Sequence, residues 1–230
     1  MDDAMADLPE GLSDVLESAA RLQARVPDAV LVGGAAAALY ARHRMSTDHD
    51  HIIEDLQDRY EQILDALERE GDWVFNRGVP GKIILGELGG IEAGVRQMIR
   101  TRPLEVQSVT VPTGSTITVP TLDEIARIKG FLIVKRNQMR DYLDVAALSY
   151  RFGPERIGAV LSRIDDYYTD PSHPEDRPVQ SQLARQLVDP SPRDHTRIRD
   201  LSTYKKLERR WHDWQNVVAD CRALAPYVAA

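Results

Sequence analysis

The chain has 230 residues, of which 43% are hydrophobic and 28% are charged, the composition of a folded globular protein and not of a disordered one. The single cysteine, Cys221, excludes an internal disulfide framework and any zinc site built from several cysteines. The longest weakly polar run, 29–41, is too short to span a bilayer. The acidic first ten residues lack the basic start of a signal peptide. We therefore expect a cytoplasmic protein with no membrane partner.

Charge is distributed unevenly along the chain, whose formal net charge is −7. Residues 1–120 include 11 basic and 20 acidic residues, whereas 121–230 include 18 basic and 16 acidic ones. The stretch 193–210 alone holds seven basic and three acidic residues. This distribution argues against nucleic-acid binding over the whole surface but permits a local basic patch.

Helices and strands alternate in the first part of the chain. Apolar residues at helical spacing predict a helix over 12–22, which ends before Pro27. The apolar run 29–32 predicts a short strand that feeds a tight turn at Gly33 and Gly34. The next predicted elements are a helix over 35–43, a strand over 49–53 and a helix over 56–67.

The pattern changes at Trp73 and again at Pro120. Short runs rich in Val, Ile and Thr predict five strands, over 73–76, 82–86, 91–96, 106–111 and 116–119. The helical period then returns, with helices predicted from Thr121 and from Tyr142 and a long terminal helix over 201–225. The clearest loop is predicted at 169–178. We place the organisational boundary near Pro120.

The most informative stretch is Leu31-Val-Gly-Gly, followed after thirteen residues by Asp48-His-Asp-His. Two carboxylates at i and i+2 on a strand point to the same face. Without a cation they would repel, whereas with Mg²⁺ they become hard oxygen ligands that leave positions for water and phosphate. Gly33 and Gly34, at a strand-to-helix turn, supply backbone N–H groups and no side-chain bulk, which suits phosphate oxygens.

Three neighbouring side chains add to this constellation. Ser46 and Thr47 place hydroxyl groups next to the metal pair, and Arg44 is suited to phosphate charge. A lone Gly-Gly is usually an ordinary turn, and a lone Asp-x-Asp is usually a solvated strand edge. Their combination at strand–turn–helix–strand spacing favours the functional interpretation.

Two segments of the chain resemble known sequence blocks. LVGGAAAALYARHRMSTDHDH (31–51) resembles the minimal signature of the DNA polymerase β-like nucleotidyltransferases. IARIKGFLIVKRNQMRDYLDVAAL (125–148) resembles the second block of the AbiEii/AbiGii-type toxin family, which includes the MenT-like toxins. We refer to these as the first block and the second block. In the second, Lys129 precedes Asp141 by twelve residues, with Arg140 before that aspartate and Asp144 after it.

The resemblance implies a fold and a set of roles. The expected fold is of the α+β class: residues 1–120 form a polymerase β-like core, a mixed sheet flanked by helices, and 121–230 form an α-helical C-terminal region. It implies that Asp48 and Asp50 bind the catalytic Mg²⁺ or Mn²⁺. Other roles implied are triphosphate binding by Gly33, Gly34 and Ser46, a contact of Lys129 with nucleotide phosphate, and completion of the active centre by Asp141. Arg44, Thr47 and Arg140 are further candidates for nucleotide binding from their residue types and positions alone.

Two features leave alternatives open. Glu92, in a predicted strand, is a candidate third metal ligand or a base that deprotonates the attacking hydroxyl, and equally an ordinary strand-edge glutamate. Where the family has hydrophobic residues, this chain has His49 and His51. Strand alternation sends them to the opposite face, as core or interface histidines. A zinc site built from His43, these two histidines and the aspartates is the alternative.

Two basic stretches have equally open interpretations. Arg140 lies with Lys135 and Arg136 in a cluster that fits either phosphate or RNA-backbone binding or a solvated face. The stretch 193–210 is the better electrostatic candidate for a nucleic-acid acceptor. Its alternative is a solvated helix flank in which Asp194, Asp200 and Glu208 offset the basic residues.

The resemblance implies a nucleotidyltransferase that takes a nucleoside triphosphate (NTP) and releases pyrophosphate. It further implies a toxin of a toxin–antitoxin or phage-defence system, with a cognate antitoxin as partner and the tRNA 3′ end as acceptor. Other acceptors on the same core are small molecules of the antibiotic type and proteins. A catalytically silent antitoxin-binding module is the alternative from another class, against which the intact Asp48, Asp50, Lys129 and Asp141 argue.

Overall fold

The computed structural model describes residues 11–100, 102–169 and 178–230. These residues form two compact units, which divide between Thr121 and Leu122. The acidic N-terminal residues 1–10 and nearly all of the predicted loop 169–178 lie outside the described residues. No helix in the described part of the chain combines the length and the apolar character needed to cross a membrane.

Within its described residues, 11–100 and 102–121, the first unit contains three helices and seven strands. The helices are α1 (Leu12–Arg25), α2 (Gly33–Ala41) and α3 (Leu56–Glu68). The strands are β1 (Val30–Val32), β2 (Asp48–Ile53), β3 (Trp73–Val79), β4 (Ile83–Leu88), β5 (Ile91–Gln97), β6 (Val106–Thr110) and β7 (Thr116–Pro120). Every helix and strand predicted in this part of the chain is therefore confirmed, with bounds that differ by a few residues.

A mixed sheet of five strands, in the order β1-β2-β5-β4-β3, organises this unit. Strands β2 and β5 are parallel, and the other neighbouring pairs are antiparallel. Strands β6 and β7 form a separate antiparallel pair. One face of the sheet packs against the apolar stripes of α1 and α3, in a core that includes Leu22, Ile53, Leu56, Ile84 and Val95. Burial of this face leaves the other face of β2 for polar side chains.

The second unit is helical. Its α-helices are α4 (Leu122–Arg136), α5 (Met139–Phe152), α6 (Pro154–Leu161), α7 (Val179–Val188) and α8 (Trp214–Ala229). Short 3₁₀ segments occupy Ile164–Asp166, His195–Thr203 and Arg209–His212. Helix α8 packs against α5, α6 and α7, and its buried residues, among them Val217, Cys221 and Leu224, contribute to the core of the unit.

The first half of the predicted helix over 201–225 is wrong. Residues 195–203 and 209–212 form 3₁₀ turns, and between them the backbone at Lys205 and Lys206 is left-handed, with φ of 43° and 47°. A new helix then begins after Asp213, whose carboxylate accepts a hydrogen bond from the backbone N–H of Gln215. A side-chain cap of this kind marks a helix start. Leu207 and Trp211 are therefore buried by irregular backbone and a short 3₁₀ turn ahead of α8, and not by one continuous helix.

Candidate active site

Strand β2 carries the acidic pair of the first block on one face. Asp48 and Asp50 are half-buried, whereas His49 and His51 between them are fully buried. The period of two in this burial pattern is that of a strand with one face in the core. The expectation that the carboxylates share a face and that the histidines occupy the opposite one is confirmed.

Strand β5 lies beside β2 in parallel register and brings further polar groups to the same face. Asp48 is opposite Glu92, and Asp50 is opposite Gly94. On β4, Glu87 is opposite Glu92 in turn. Three carboxylates therefore form a row across three strands, although like charges directly opposite each other are destabilising. Glu87 is absent from the predicted site residues, because its position follows from strand register and no local pattern marks it.

Asp50 is held by a partner on β5. The Nε atom of Arg96 lies 3.1 Å from Asp50 Oδ1. Gly94 makes room for this carboxylate, since a Cβ atom at position 94 would lie only 2.8 Å from the same oxygen. Arg96 is absent from the predicted site residues, although its four-residue spacing from Glu92 on one strand face was a usable signal.

The glycine turn leads into α2 next to the acidic pair. Gly33 has a φ of 73°, and a Cβ atom there would lie 3.3 Å from Asp50 Oδ2. The helix begins with Val32 as its N-cap and has no side-chain cap. The N–H groups of a first helical turn have no partner within the helix, so they are suited to anionic oxygens.

Ser46 and Arg44 pack directly on this first turn. A Cβ atom on Gly34 would lie 2.7 Å from Ser46 Oγ and 2.9 Å from Arg44 Nη2. The Ser46 hydroxyl also donates to the backbone oxygen of Asp48, over 3.2 Å, and its oxygen lies 3.4 Å from Asp48 Oδ1. Ser46 and Arg44 are buried, while Thr47 is exposed. The glycine turn, the serine, the arginine and the acidic pair thus form one continuous arrangement.

The buried face of β2 is uncharged. Nε2 of His49 lies 3.0 Å from Ser18 Oγ, and the rings of His49 and His51 pack edge to face with centroids 5.2 Å apart. Burial lowers the pKa of His49 to about 4, against the attraction of Asp48, which raises it. Burial also lowers the pKa of His51 well below 6.5, and the neighbouring His49 lowers it further. Both imidazoles are therefore neutral at pH 7.

The predicted residues of the second block form two ion pairs within the helical unit. Lys129 Nζ lies 2.7 Å from Asp144 Oδ2, and both side chains are buried. The guanidinium group of Arg136 donates to both oxygens of Asp141, from Nε and from Nη2, over 2.7 Å each. Arg140 follows on α5 and is half-buried. Both carboxylates of the Arg-Asp-x-x-Asp run therefore accept from basic side chains on α4.

The described residues contain no group of three or more His, Cys, Asp or Glu side chains that could hold a metal ion. The alternative zinc site of His43, His49, His51 and the aspartates is therefore not formed. Mg²⁺, in contrast, is usually held by one or two carboxylates together with water and substrate phosphates. Asp48 and Asp50 offer hard carboxylate oxygens beside a turn suited to phosphate, which is the kind of ligand set that Mg²⁺ prefers. The third-ligand role of Glu92 stays a prediction.

Comparisons with solved structures identify the fold of the chain. No family model matches the chain. MenT4, a nucleotidyltransferase toxin of Mycobacterium tuberculosis H37Rv, is 17% identical with a TM-score of 0.58, over 94% of this chain and 82% of that one. A nucleotidyltransferase candidate from H. pylori is 14% identical with a TM-score of 0.52, over 96% of both chains. The protein has a nucleotidyltransferase fold, as the sequence predicted. One solved protein with which it shares that fold is a toxin.

A different relative is found by sequence. The heme uptake protein MmpL11 of M. tuberculosis is 35% identical over 132 residues, which are 55% of this chain and 13% of that protein. The chain thus spans only about one eighth of the length of the curated relatives it matches. Their transport and export activities belong to much longer proteins, so we draw no functional assignment from this similarity.

Proposed function

We propose that this protein is a nucleotidyltransferase dependent on Mg²⁺ or Mn²⁺, which transfers a nucleotidyl group from an NTP to the 3′ hydroxyl of a tRNA. One observation carries the proposal: Asp48 and Asp50 lie on the polar face of β2, beside the uncapped first turn of α2 at Gly33 and Gly34. Such an arrangement combines hard oxygen ligands with backbone donors for phosphate.

Each residue of the first block then has a defined task. Asp48 and Asp50 hold the divalent ion, which when bound neutralises triphosphate charge and favours departure of pyrophosphate. The N–H groups of the glycine turn and the Ser46 hydroxyl bind phosphate oxygens. Arg96 keeps Asp50 oriented before the ion arrives, because its Nε already donates to that carboxylate.

The basic residues of the second block bind phosphate in this proposal. A lysine ammonium has three donors, so the pair of Lys129 with one Asp144 oxygen leaves donors for a phosphate group. Asp141 has both of its oxygens occupied by Arg136. We therefore assign Asp141 the task of positioning Arg136, in place of the direct role in the active centre that the family resemblance implies. Arg140 adds a further cation.

The proposed reaction forms one bond and breaks one. The acceptor hydroxyl oxygen bonds to the α-phosphorus, the bond from that phosphorus to the bridging oxygen breaks, and pyrophosphate leaves with the electron pair. The hydroxyl proton passes to a base, for which the exposed Glu92 carboxylate, in register with Asp48, is the candidate. Positioning and charge neutralisation supply most of the catalysis in transfers of this kind.

The biological setting follows from the resemblance of the second block to the AbiEii/AbiGii-type toxin family, which includes the MenT-like toxins. Addition of nucleotides to the tRNA 3′ end would stop translation, so we propose a toxin that acts in the cytoplasm and is neutralised by a cognate antitoxin. Its likeness to the toxin MenT4 supports this setting through the fold alone.

The test is the incorporation of four separately α-³²P-labelled NTPs into total tRNA in the presence of Mg²⁺. We expect one or more nucleotides to label tRNA with the wild-type protein. Asp48→Asn should reduce the rate about 10²-fold or more, the usual size of the loss of one transition-state electrostatic contact. The matched control, Asp58→Asn, removes an exposed carboxylate from α3 and should leave the rate unchanged. Wild-type labelling that Asp48→Asn retains would contradict the site assignment.

Absence of tRNA labelling would refute the tRNA acceptor. The alternatives are then a small-molecule acceptor, a protein acceptor or a catalytically silent antitoxin-binding module. A thermal-shift series with each NTP, with and without Mg²⁺, separates them, since a ligand that binds the native state raises the melting temperature. A shift that needs Mg²⁺ and Asp48 indicates a transferase with a small-molecule or protein acceptor. The net acidic composition of residues 1–120 favours cationic small molecules in that case. No shift with any NTP indicates a silent antitoxin-binding module.

A further inference from the structure

The basic segment, residues 193–210, is exposed on the helical unit. It begins two residues before the 3₁₀ segment His195–Thr203 and ends two residues into the 3₁₀ segment Arg209–His212. Five of its seven basic residues are arginines, and Arg193, Arg199 and Arg209 are exposed. In the part of the chain that the structure describes, these three arginines have no acidic partner within salt-bridge distance. Their guanidinium groups are therefore available to an external anion.

Hydrogen bonds fix the start of the basic segment to the turn that joins α4 and α5. The backbone N–H of Arg193 donates to the carbonyl oxygen of Asn137 over 2.8 Å, and the side-chain amide of Asn137 donates to the Ser191 carbonyl over 3.0 Å. The backbone N–H of Met139 donates to Asp194 Oδ1 over 2.7 Å. This contact occupies Asp194, one of the three acidic residues of the segment.

That turn lies within the second block, between the cations proposed to bind nucleotide phosphate. Arg136 ends α4 and Arg140 is the second residue of α5. The hydrogen bonds therefore make the basic segment a continuation of the cationic end of the second block. A chain of phosphates bound along the segment would lead directly to Arg136 and Arg140.

An exposed aromatic ring lies at the other end of the basic segment. Tyr150 is 57% exposed, and the Cζ atom of Arg210 lies 4.0 Å from its ring centroid. The ring of Trp211 packs against it edge to face, with centroids 5.8 Å apart. Arg210 is also held by Asp220, over 2.8 Å. The tyrosine is thus fixed in place with part of its surface in solvent.

From these observations we infer that the basic segment and Tyr150 bind the RNA acceptor, with phosphates on the arginines and an unpaired base on the tyrosine. This inference rests on the proposed function, because the acceptor there is a tRNA. Arginine is suited to bidentate phosphate contacts, and single-stranded RNA ends characteristically stack on aromatic side chains. An acidic protein is the alternative partner, whereas the arginines and the tyrosine together match the phosphates and a base of one RNA strand.

The test measures binding of a fluorescent tRNA to the Asp48→Asn protein, so that no nucleotide transfer is needed. The triple variant Arg193→Gln/Arg199→Gln/Arg209→Gln should weaken binding about tenfold or more at 0.15 M salt. It should also flatten the slope of log affinity against log salt by about 2 to 3, since each lost phosphate contact accounts for about 0.7 to 0.9. Circular dichroism checks that the variants fold.

A second triple variant serves as the matched control. Arg156→Gln/Arg163→Gln/Arg185→Gln removes the same number of charges from exposed positions on the same unit, where Asp123 and Asp166 already pair with two of them. It should leave the salt slope unchanged. Equal losses in the two triple variants, or no tRNA binding by the parent protein, would overturn the inference.

Tyr150 separates stacking from charge. Tyr150→Ala should weaken tRNA binding about fivefold or more without a change in the salt slope, and Tyr150→Phe should restore it. A poly-glutamate probe distinguishes the protein alternative: if the arginine variant loses poly-glutamate and retains tRNA, the segment serves an acidic protein and the inference fails. If tRNA binds as described and no nucleotide is incorporated, the inference stands and the proposed reaction fails.

Discussion

The clearest single test of the candidate site is Gly94→Ala on β5. Gly94 lies opposite Asp50 in the parallel register. A Cβ atom there would lie 2.8 Å from Asp50 Oδ1 and 2.9 Å from Leu85 Cδ2. Both atoms are ends of side chains, so the backbone is not forced to move. The added methyl therefore acts on the carboxylate proposed to hold the metal and on Leu85, and small movements of these two side chains absorb it.

The size of the effect follows from these contacts. An ordinary carbon–oxygen contact is about 3.4 Å, near the low end of normal van der Waals separations. The carboxylate must therefore move by about half an ångström, away from its 3.1 Å contact with Arg96 Nε. A displacement of about 1 Å in a catalytic group costs about 10²-fold in rate, so we expect a loss of about 10- to 100-fold. Stability should change little, because alanine is favoured over glycine in a strand by about 0.5–1 kcal/mol, which offsets the crowding.

Incorporation of labelled nucleotide and the urea midpoint are measured on the same preparations. Gly90→Ala is the matched control, since a Cβ atom there meets nothing within 4 Å while the backbone φ of 82° is strained for alanine. It should lower stability by about 1 kcal/mol and leave the turnover of the folded protein unchanged. Activity of Gly94→Ala equal to wild type would refute the argument. A loss of activity that is fully explained by a lower urea midpoint would refute it as well.

Three further predictions concern groups that the structure buries or pairs. Because burial lowers the pKa of His49 from 6.5 to about 4, its contribution to stability is complete above pH 6.5. As the pH falls toward 4, this contribution to the free energy of unfolding is lost at up to about 1.4 kcal/mol per pH unit. Urea midpoints from pH 7 to 4.5 should show this loss, less steeply in His49→Gln; identical slopes would contradict it. Asp141→Asn should raise the KM for NTP. The double variant Asp141→Asn/Arg136→Gln should be no worse than Arg136→Gln alone, since both single changes remove the same ion pair; additive losses would contradict the positioning role of Asp141. Burial raises the pKa of the Cys221 thiol, so a thiol reagent at pH 8 should react only in urea, and rapid reaction of the folded protein would count against this burial.

The sequence was sufficient for the fold wherever a local pattern marks each element. The apolar run before Gly33, the alternation from Asp48 to His51 and the Val- and Ile-rich runs after Trp73 each define one strand or turn. The helix prediction failed from Leu201 to His212 because the buried residues Leu207 and Trp211 have near-helical spacing. Spacing alone does not distinguish a helix from successive 3₁₀ turns.

The placement of the candidate residues on β2 was predictable, whereas their pairings with other elements were not. Strand alternation fixed which side chains of β2 share a face. The register of β5 against β2, which puts Gly94 beside Asp50 and lets Arg96 reach its carboxylate, depends on the whole sheet. The pairs Lys129–Asp144 and Arg136–Asp141 likewise join α4 to α5 and depend on how two helices pack. Long-range pairing of this kind leaves no trace in a single sequence.

The histidines of β2 give the strand a chemical means to keep its register. A slip of one residue would move both carboxylates into the core and both histidines to the polar face. Burial of two carboxylates without cations costs several kcal/mol, whereas a neutral imidazole is accommodated, as His49 is beside the Ser18 hydroxyl. The alternation Asp-His-Asp-His is therefore tolerated only in the register that exposes the acidic pair. Because that tolerance requires uncharged imidazoles, the placement of the proposed metal ligands depends on the protonation state of the opposite face of the same strand.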